Sequence, residues 1–261
     1  MLKKNVWLYA VCFAMNLFLL ACGHGVEERS VHTTSGSTPV AFMSLETMFP
    51  DPTVRMLAAA AAGGDIAEVD RLVGQGVDVN SRGTRGATPL VWAMRNLIGF
   101  TRLLELGADP NVVFGYGGSV MLFAAQGRNL KFLEAALLHG GDPNLDTGAI
   151  LGTPLIRAIS SSQRAVDILL DAGADIEQRS YGGATPMFTA ASLAEFASVY
   201  HLLNRGADHE VSNKRGETFM DLVADFSGDF MPGHEGGRWY DKVIKQLQDR
   251  GVKVSFHCCR N

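Results

Sequence analysis

A beat of threonine, a small or cyclic residue and an apolar residue runs through the chain at Thr88-Pro89-Leu90, Thr153-Pro154-Leu155, Thr185-Pro186-Met187 and Thr218-Phe219-Met220. Thr88 and Thr153 stand 65 residues apart and the next two steps are 32 and 33, so the long gap holds two periods and predicts a degenerate copy at Val120-Met121-Leu122. A period of this size restricts the fold to an array of small stacked units, because one such unit cannot bury its own apolar face.

Each copy continues in the same order. Threonine can cap the free N–H groups of a helix start, and proline, with φ already fixed, suits the first helical position. Small residues at Ala60, Ala93, Ala125, Ala158 and Ala190 follow each apolar position by three and let neighbouring helices approach. Leucine pairs at Leu103-Leu104, Leu137-Leu138, Leu169-Leu170 and Leu202-Leu203 then fill the space between units. Gly76, Gly107, Gly140, Gly173 and Gly206 end the second stretches, where a left-handed backbone favours glycine. The first copy opens on Asp51-Pro52 instead of Thr-Pro, and the last is interrupted over residues 226–238 before a closing helix from near Trp239 to about Arg250. This predicts five full two-helix units and a modified sixth.

The turns that close the units are Gly76-Val77-Asp78-Val79-Asn80, Gly107-Ala108-Asp109-Pro110-Asn111, Gly141-Asp142-Pro143-Asn144, Gly173-Ala174-Asp175-Ile176-Glu177 and Gly206-Ala207-Asp208-His209-Glu210. With the Thr-Pro starts they resemble the ankyrin repeat over residues 51–252. The resemblance implies an all-α solenoid of helix pairs joined by hairpin-like fingers, with a concave face of finger tips and first helices that binds other proteins. On that face the sequence offers Trp92, Arg95, Phe114, Tyr116, Arg157 and Tyr181. Aromatic and arginine side chains carry interface energy because they bury much area with few degrees of freedom or make forked hydrogen bonds. Phe114 and Tyr116, flanked by glycines, are hard to place in a core. Trp92 could instead pack under a neighbouring finger, and Tyr181 could cover its own turn.

Upstream, Lys3 and Lys4 precede an apolar run over residues 6–20 that ends in Leu19-Leu20-Ala21-Cys22-Gly23. A basic start, a short apolar core and a small residue before the cut describe a secretory signal over residues 1–21. The run is short for a membrane span. Its end resembles a bacterial lipoprotein signal, which implies Cys22 as an acylated mature N-terminus, periplasm-facing and, with Gly23 after it, sorted to the outer membrane. Residues 22–50 then read as a polar tether and an apolar segment over residues 42–49, which either caps the open end of the first unit or docks on a partner. Loss of Lys3 and Lys4 leaves 21 basic residues against 27 acidic ones, which speaks against nucleic acid and against electrostatic docking on anionic lipid. In the tail, residues 253–261, Cys258 and Cys259 are adjacent, open to a strained vicinal disulfide, interchain pairing or free thiols. Three neighbours, His257 included, converge poorly on one tetrahedral metal ion.

No Gly-x-Ser-x-Gly elbow, phosphate-cradling glycine loop or His-Glu-x-x-His pair occurs, so no enzyme, cofactor or small-molecule substrate is expected. The lipobox, the short tether, Asp51-Pro52, the run Gly140-Gly141-Asp142-Pro143-Asn144 and the closing Arg250-Gly251-Val252 together are similar to ankyrin-repeat lipoproteins that act as immunity factors against type VI secretion lipase effectors. That resemblance implies a protein partner, a toxic phospholipase, blocked sterically in the periplasm. The other reading is a general scaffold of a cell-envelope complex.

Overall fold

The computed structural model describes residues 43–148, 152–226 and 234–254. The leader, Cys22, the tether to residue 42, the 227–233 part of the interrupted unit, and Cys258 and Cys259 lie outside the described residues. Among the described residues, a short helix α1 (Leu45–Met48) precedes six helix pairs: α2 (Pro52–Gly63) with α3 (Ile66–Gly74), α4 (Pro89–Ala93) with α5 (Leu97–Glu105), and α6 (Val120–Gln126) with α7 (Lys131–Leu138). Next come α8 (Pro154–Ala158) with α9 (Gln163–Asp171), α10 (Pro186–Ser192) with α11 (Phe196–Asn204), and α12 (Phe219–Asp225) with α13 (Glu235–Asp249).

The helix starts follow from their caps. Asp51 accepts the N–H groups of Thr53 and Val54, while Thr153 and Thr185 accept from Ile156 and Phe188. Thr218 and Asp221 cap each other's backbone reciprocally. Thr88 departs from the pattern. Its side chain makes no cap bond, and its buried hydroxyl has no hydrogen-bond partner.

The degenerate copy sits one residue earlier than the arithmetic placed it. Ser119, not Val120, is the cap of α6 and accepts the Leu122 N–H at 3.1 Å, so the 65-residue gap divides into 31 and 34. The lengths differ because the turns between paired helices and the fingers vary by single residues, and two such slips cancel. A similar slip affects the leucine pairs. Leu138 is 82% exposed, and the positions that match Leu103 and Leu104, four and three residues before the left-handed glycine, are Ala136 and Leu137. Leu133 and Ala136 fill that part of the core. The closing helix likewise begins at Glu235, four residues before Trp239, because the His234 ring nitrogen caps it by accepting from Gly236.

First helices stack on first helices and second on second, with α2 against α4, α6 against α8, α5 against α7 and α11 against α13. The apolar residues between them form one continuous core, from Leu57 and Leu90 through Leu155 and Met187 to Val243 and Leu247. Contact is close enough that a Cβ on Gly99 of α5 would stand 1.8 Å from the Ala61 carbonyl oxygen of α2. At the N-terminal end, Met48 and Phe49 are buried, and the Phe49 and Pro50 carbonyls accept from the Arg55 guanidinium of α2. At the other end, Phe196 meets Phe226 and Tyr240 edge to face, and the Tyr240 hydroxyl donates to the Val223 carbonyl.

The units are also tied at their turns. Gly76, Gly107, Gly140, Gly173 and Gly206 hold φ between 85° and 95°, a conformation that only glycine adopts cheaply. Past each, an aspartate accepts the N–H two residues on, as Asp109 does from Asn111 at 2.8 Å. The asparagine then reaches into the next unit with both ends of its amide. Asn80 donates to the Gly107 carbonyl and accepts from Asp109 N–H, Asn111 does the same with Gly140 and Asp142, and Asn144 with Gly173 and Asp175. Glu177 holds the fourth position and only accepts, from Asp208 N–H at 2.8 Å. Burial raises its pKa, against the lowering effect of that hydrogen bond.

Candidate functional site

Between each ladder residue and the next helix cap the chain turns out into a finger: residues 81–86, 113–118, 146–152, 179–183 and 212–217, of which 149–151 are not described. The second finger is a hairpin whose strands β1 (Val113–Phe114) and β2 (Gly118–Ser119) pair antiparallel, with Phe114 opposite Gly118.

Phe114 is not a contact presented to a partner. It is 4% exposed, its ring centroid lies 5.7 Å from that of Phe123 on α6, and a Cβ on Gly118 would meet it at 2.9 Å. The hairpin folds the ring back onto its own unit, which corrects the expectation that it stands outside the core. Tyr116, two residues on, points the other way at 72% exposure. The Arg85 guanidinium of the preceding finger sits 5.1 Å from its ring centre, and the Arg85 carbonyl accepts the Gly115 N–H. Arg85 itself takes a left-handed φ of 57°.

Tyr181 repeats the arrangement from the other side. It is 74% exposed, with the Lys214 ammonium of the following finger 5.2 Å from its ring centre. Arg179 fastens these two fingers by donating from Nη1 to the carbonyls of Gly183 and Ser212, and Lys214 N–H donates to the Gly182 carbonyl.

Trp92 and Arg157 occupy equivalent places, four residues after the caps Thr88 and Thr153 on first helices. Trp92 is half-buried, and the exposed Arg95 stacks 3.5 Å above its ring while donating to the Trp92 carbonyl. Arg157 instead turns inward. It is 5% exposed and donates to the side-chain oxygen of Gln126 on the neighbouring first helix, and burial lowers its pKa. Like Phe114, it binds its own array and offers no charge to solvent. The structure therefore groups Trp92 with Arg95, Tyr116 with Arg85, and Tyr181 with Lys214, each a cation over an aromatic face, an attraction of about 0.5–1 kcal/mol at exposed sites. Arg85 and Lys214 were not singled out from sequence. Each stands one repeat from its tyrosine, at 31 and 33 residues, and that spacing was the available signal.

Second helices carry ion pairs between units: Arg102 to Asp70, and Arg205 to Asp167 and Asp171, with His201 also on Asp167. Among the described residues no group of three or more His, Cys, Asp or Glu is placed to hold a metal ion, and no helix is long and apolar enough to cross a membrane.

A family model described as ankyrin repeats matches residues 120–213. Among curated proteins, the chain is 27% identical over 177 residues to Palmitoyltransferase AKR1 of Lachancea kluyveri, and 31% over 140 residues to Protein PhlB of Serratia liquefaciens. The matches cover 64% and 52% of this chain but only 24% and 61% of those proteins. Among solved structures, an ankyrin repeat domain from Acinetobacter baumannii superposes with a TM-score of 0.63 at 28% identity, covering 76% of this chain and 98% of that one. A chain from the complex of a predatory endopeptidase with an immunity protein, from Bdellovibrio bacteriovorus, superposes with a TM-score of 0.59 at 25% identity, covering 72% and 97%. Helix pairs, left-handed glycines, threonine caps and these likenesses agree that the chain is an all-α ankyrin-repeat solenoid, a scaffold for binding another protein.

Proposed function

We propose that this chain is a non-catalytic immunity lipoprotein that binds a secreted antibacterial enzyme and covers its active site. The observation that carries the reading is the set of cation-backed aromatics on first helices and fingers, the half-buried Trp92 and the exposed Tyr116 and Tyr181. Rings held in place by a neighbouring charge lose little freedom on binding, which favours a tight complex. The likeness to a structure that contains an immunity protein bound to an endopeptidase supports a partner that is an enzyme. The sequence resemblance to immunity lipoproteins adds a phospholipase as its class, and Cys22 as the point that holds the inhibitor on the periplasmic side of a membrane.

Co-expression with the enzyme that this reading expects in the adjacent gene, exported to the periplasm, is the direct test. Protection from lysis is expected, and continued lysis despite abundant lipoprotein removes the inhibitor reading in favour of an envelope scaffold. For the anchor, Cys22→Ser is expected to abolish palmitate labelling and release the protein from membranes; labelling that survives refutes it.

A further inference from the structure

The turns of this array carry carboxylates, and three of its five fingers, 81–86, 179–183 and 212–217, carry an excess of cations. The chain carries a formal charge of −4. Asp78, Asp109, Asp142, Asp175 and Asp208 are each spent on a backbone N–H at a turn. The fingers have the opposite sign. They hold Arg82, Arg85, Arg179, Lys214 and Arg215 against Asp146 and Glu217, and both of those carboxylates are engaged, by Gly148 N–H and by the Asn213 amide. Arg82 and Arg215 are exposed, and their guanidinium groups make no hydrogen bond or ion pair among the described residues.

We infer that the finger row docks on a carboxylate-rich protein surface, with Tyr116 and Tyr181 as the apolar anchors of two basic clusters. The first cluster is Arg85 over Tyr116 with Arg82 in the same finger as Arg85, and the second is Lys214 over Tyr181 with Arg179 and Arg215 in the same two fingers. The finger between them carries Asp146, so the row has two positive contact points and a gap. Such a pattern selects a partner with two matching acidic patches and rejects a uniform one. An anionic lipid sheet fits less well, because it is uniform and has no gap to match the finger that carries Asp146. The inference rests on the protein-binding reading above and adds the chemistry of what is bound.

The probe is a fluorescent peptide with two runs of about eight glutamates joined by a neutral Gly-Ser linker of about ten residues, titrated with the full mature chain at about 50 and about 300 mM salt, where the Debye length shortens from beyond 10 Å to well under it. Saturable binding is expected at low salt, weakening at least about tenfold at high salt. The quadruple variant Arg82→Glu, Tyr116→Ala, Tyr181→Ala, Arg215→Glu is expected to lose about 30-fold or more, on the scale of interface hot spots. Its far-UV circular dichroism serves as the check on folding. Lys131→Glu, an exposed change on α7, should stay within about twofold of the parent, as a rim charge does. No binding by the parent chain, equal binding by the quadruple variant, or binding to phosphatidylglycerol vesicles in place of the peptide each overturns the inference. The neighbouring enzyme is titrated with the same variants. If it ignores the parent chain while the peptide follows the fingers, the immunity reading falls and the surface stands; if it binds parent and variant alike, the surface falls and the immunity reading stands.

Discussion

Truncating Asn144 to alanine removes two hydrogen bonds that cross from the third unit to the fourth, Nδ2 to the Gly173 carbonyl at 2.9 Å and Asp175 N–H to Oδ1 at 2.7 Å. Each such bond contributes a net of about 0.5–1.5 kcal/mol. The groups left behind are at the surface and can rehydrate, which puts Asn144→Ala at about 1–2 kcal/mol. For an array of this length that is a fall of roughly 3–6 °C in Tm. Glu177→Ala, one unit later, removes only the bond from Asp208 N–H and should cost about half as much. Urea denaturation followed by circular dichroism compares the two, and amide exchange localises the loss, since in a solenoid the weakened term belongs to one interface. Equal costs at the two positions, or a cost below about 0.3 kcal/mol at Asn144, would refute the two-sided role given to the amide.

The other predictions use departures from the repeat pattern. Glu177→Gln keeps the acceptor and adds a donor, so a gain is expected at neutral pH. Burial raises the Glu177 pKa above its ordinary value of 4.5. The ionised form is thus disfavoured in the folded state, and stability should increase as pH falls through the raised value and level off below about 4.5; the advantage of the glutamine, read as the difference in denaturation midpoint, should narrow over that window. Thr185→Val removes the cap bond to Phe188 N–H and should cost about 1–2 kcal/mol. Thr88→Val removes a hydroxyl that has no partner and should be neutral or stabilising by up to about 0.5 kcal/mol, so the same change differs in sign at equivalent positions. Ala194 holds φ at 59° in the turn between α10 and α11, where Gly64 performs the same task in the first unit. Ala194→Gly should stabilise by about 0.5–1 kcal/mol, read as a rise in denaturation midpoint.

The fold was legible wherever a residue type answers to one backbone requirement. Glycine at a left-handed turn, proline at a first helical position and threonine before it recur at near-constant spacing, and all three reflect local rules that tertiary packing does not override. The errors came where that spacing was trusted to the residue. Ser119 does the work of a threonine, so the repeat arithmetic falls on Val120 instead, and Leu138 resembled a core leucine only because leucine stood beside it. Site residues were legible as chemical types but not as orientations. Phe114 and Tyr116 are two residues apart on a hairpin that turns one ring in and the other out, and whether a finger forms strands depends on contacts with its neighbours. Arg157 looked available because a buried arginine is rare; its Gln126 partner lies 31 residues away, a pairing no local pattern reports.

The amide ladder also determines which parts of the chain are interchangeable. A unit that begins with asparagine above it and ends with asparagine of its own presents the same donor and acceptor on both sides. The second and third units, closed by Asn111 and Asn144, meet that description and could be duplicated, exchanged or deleted with no backbone group stranded at the new junction. The fourth unit ends in Glu177, which supplies an acceptor and no donor. A unit moved to follow it inherits an unanswered carbonyl at its second-helix glycine. Growth or loss of repeats in this lineage is therefore expected to concentrate in the first half of the array, while the two fingers that carry Tyr181 and Lys214, which lie beyond Asn144, keep their spacing.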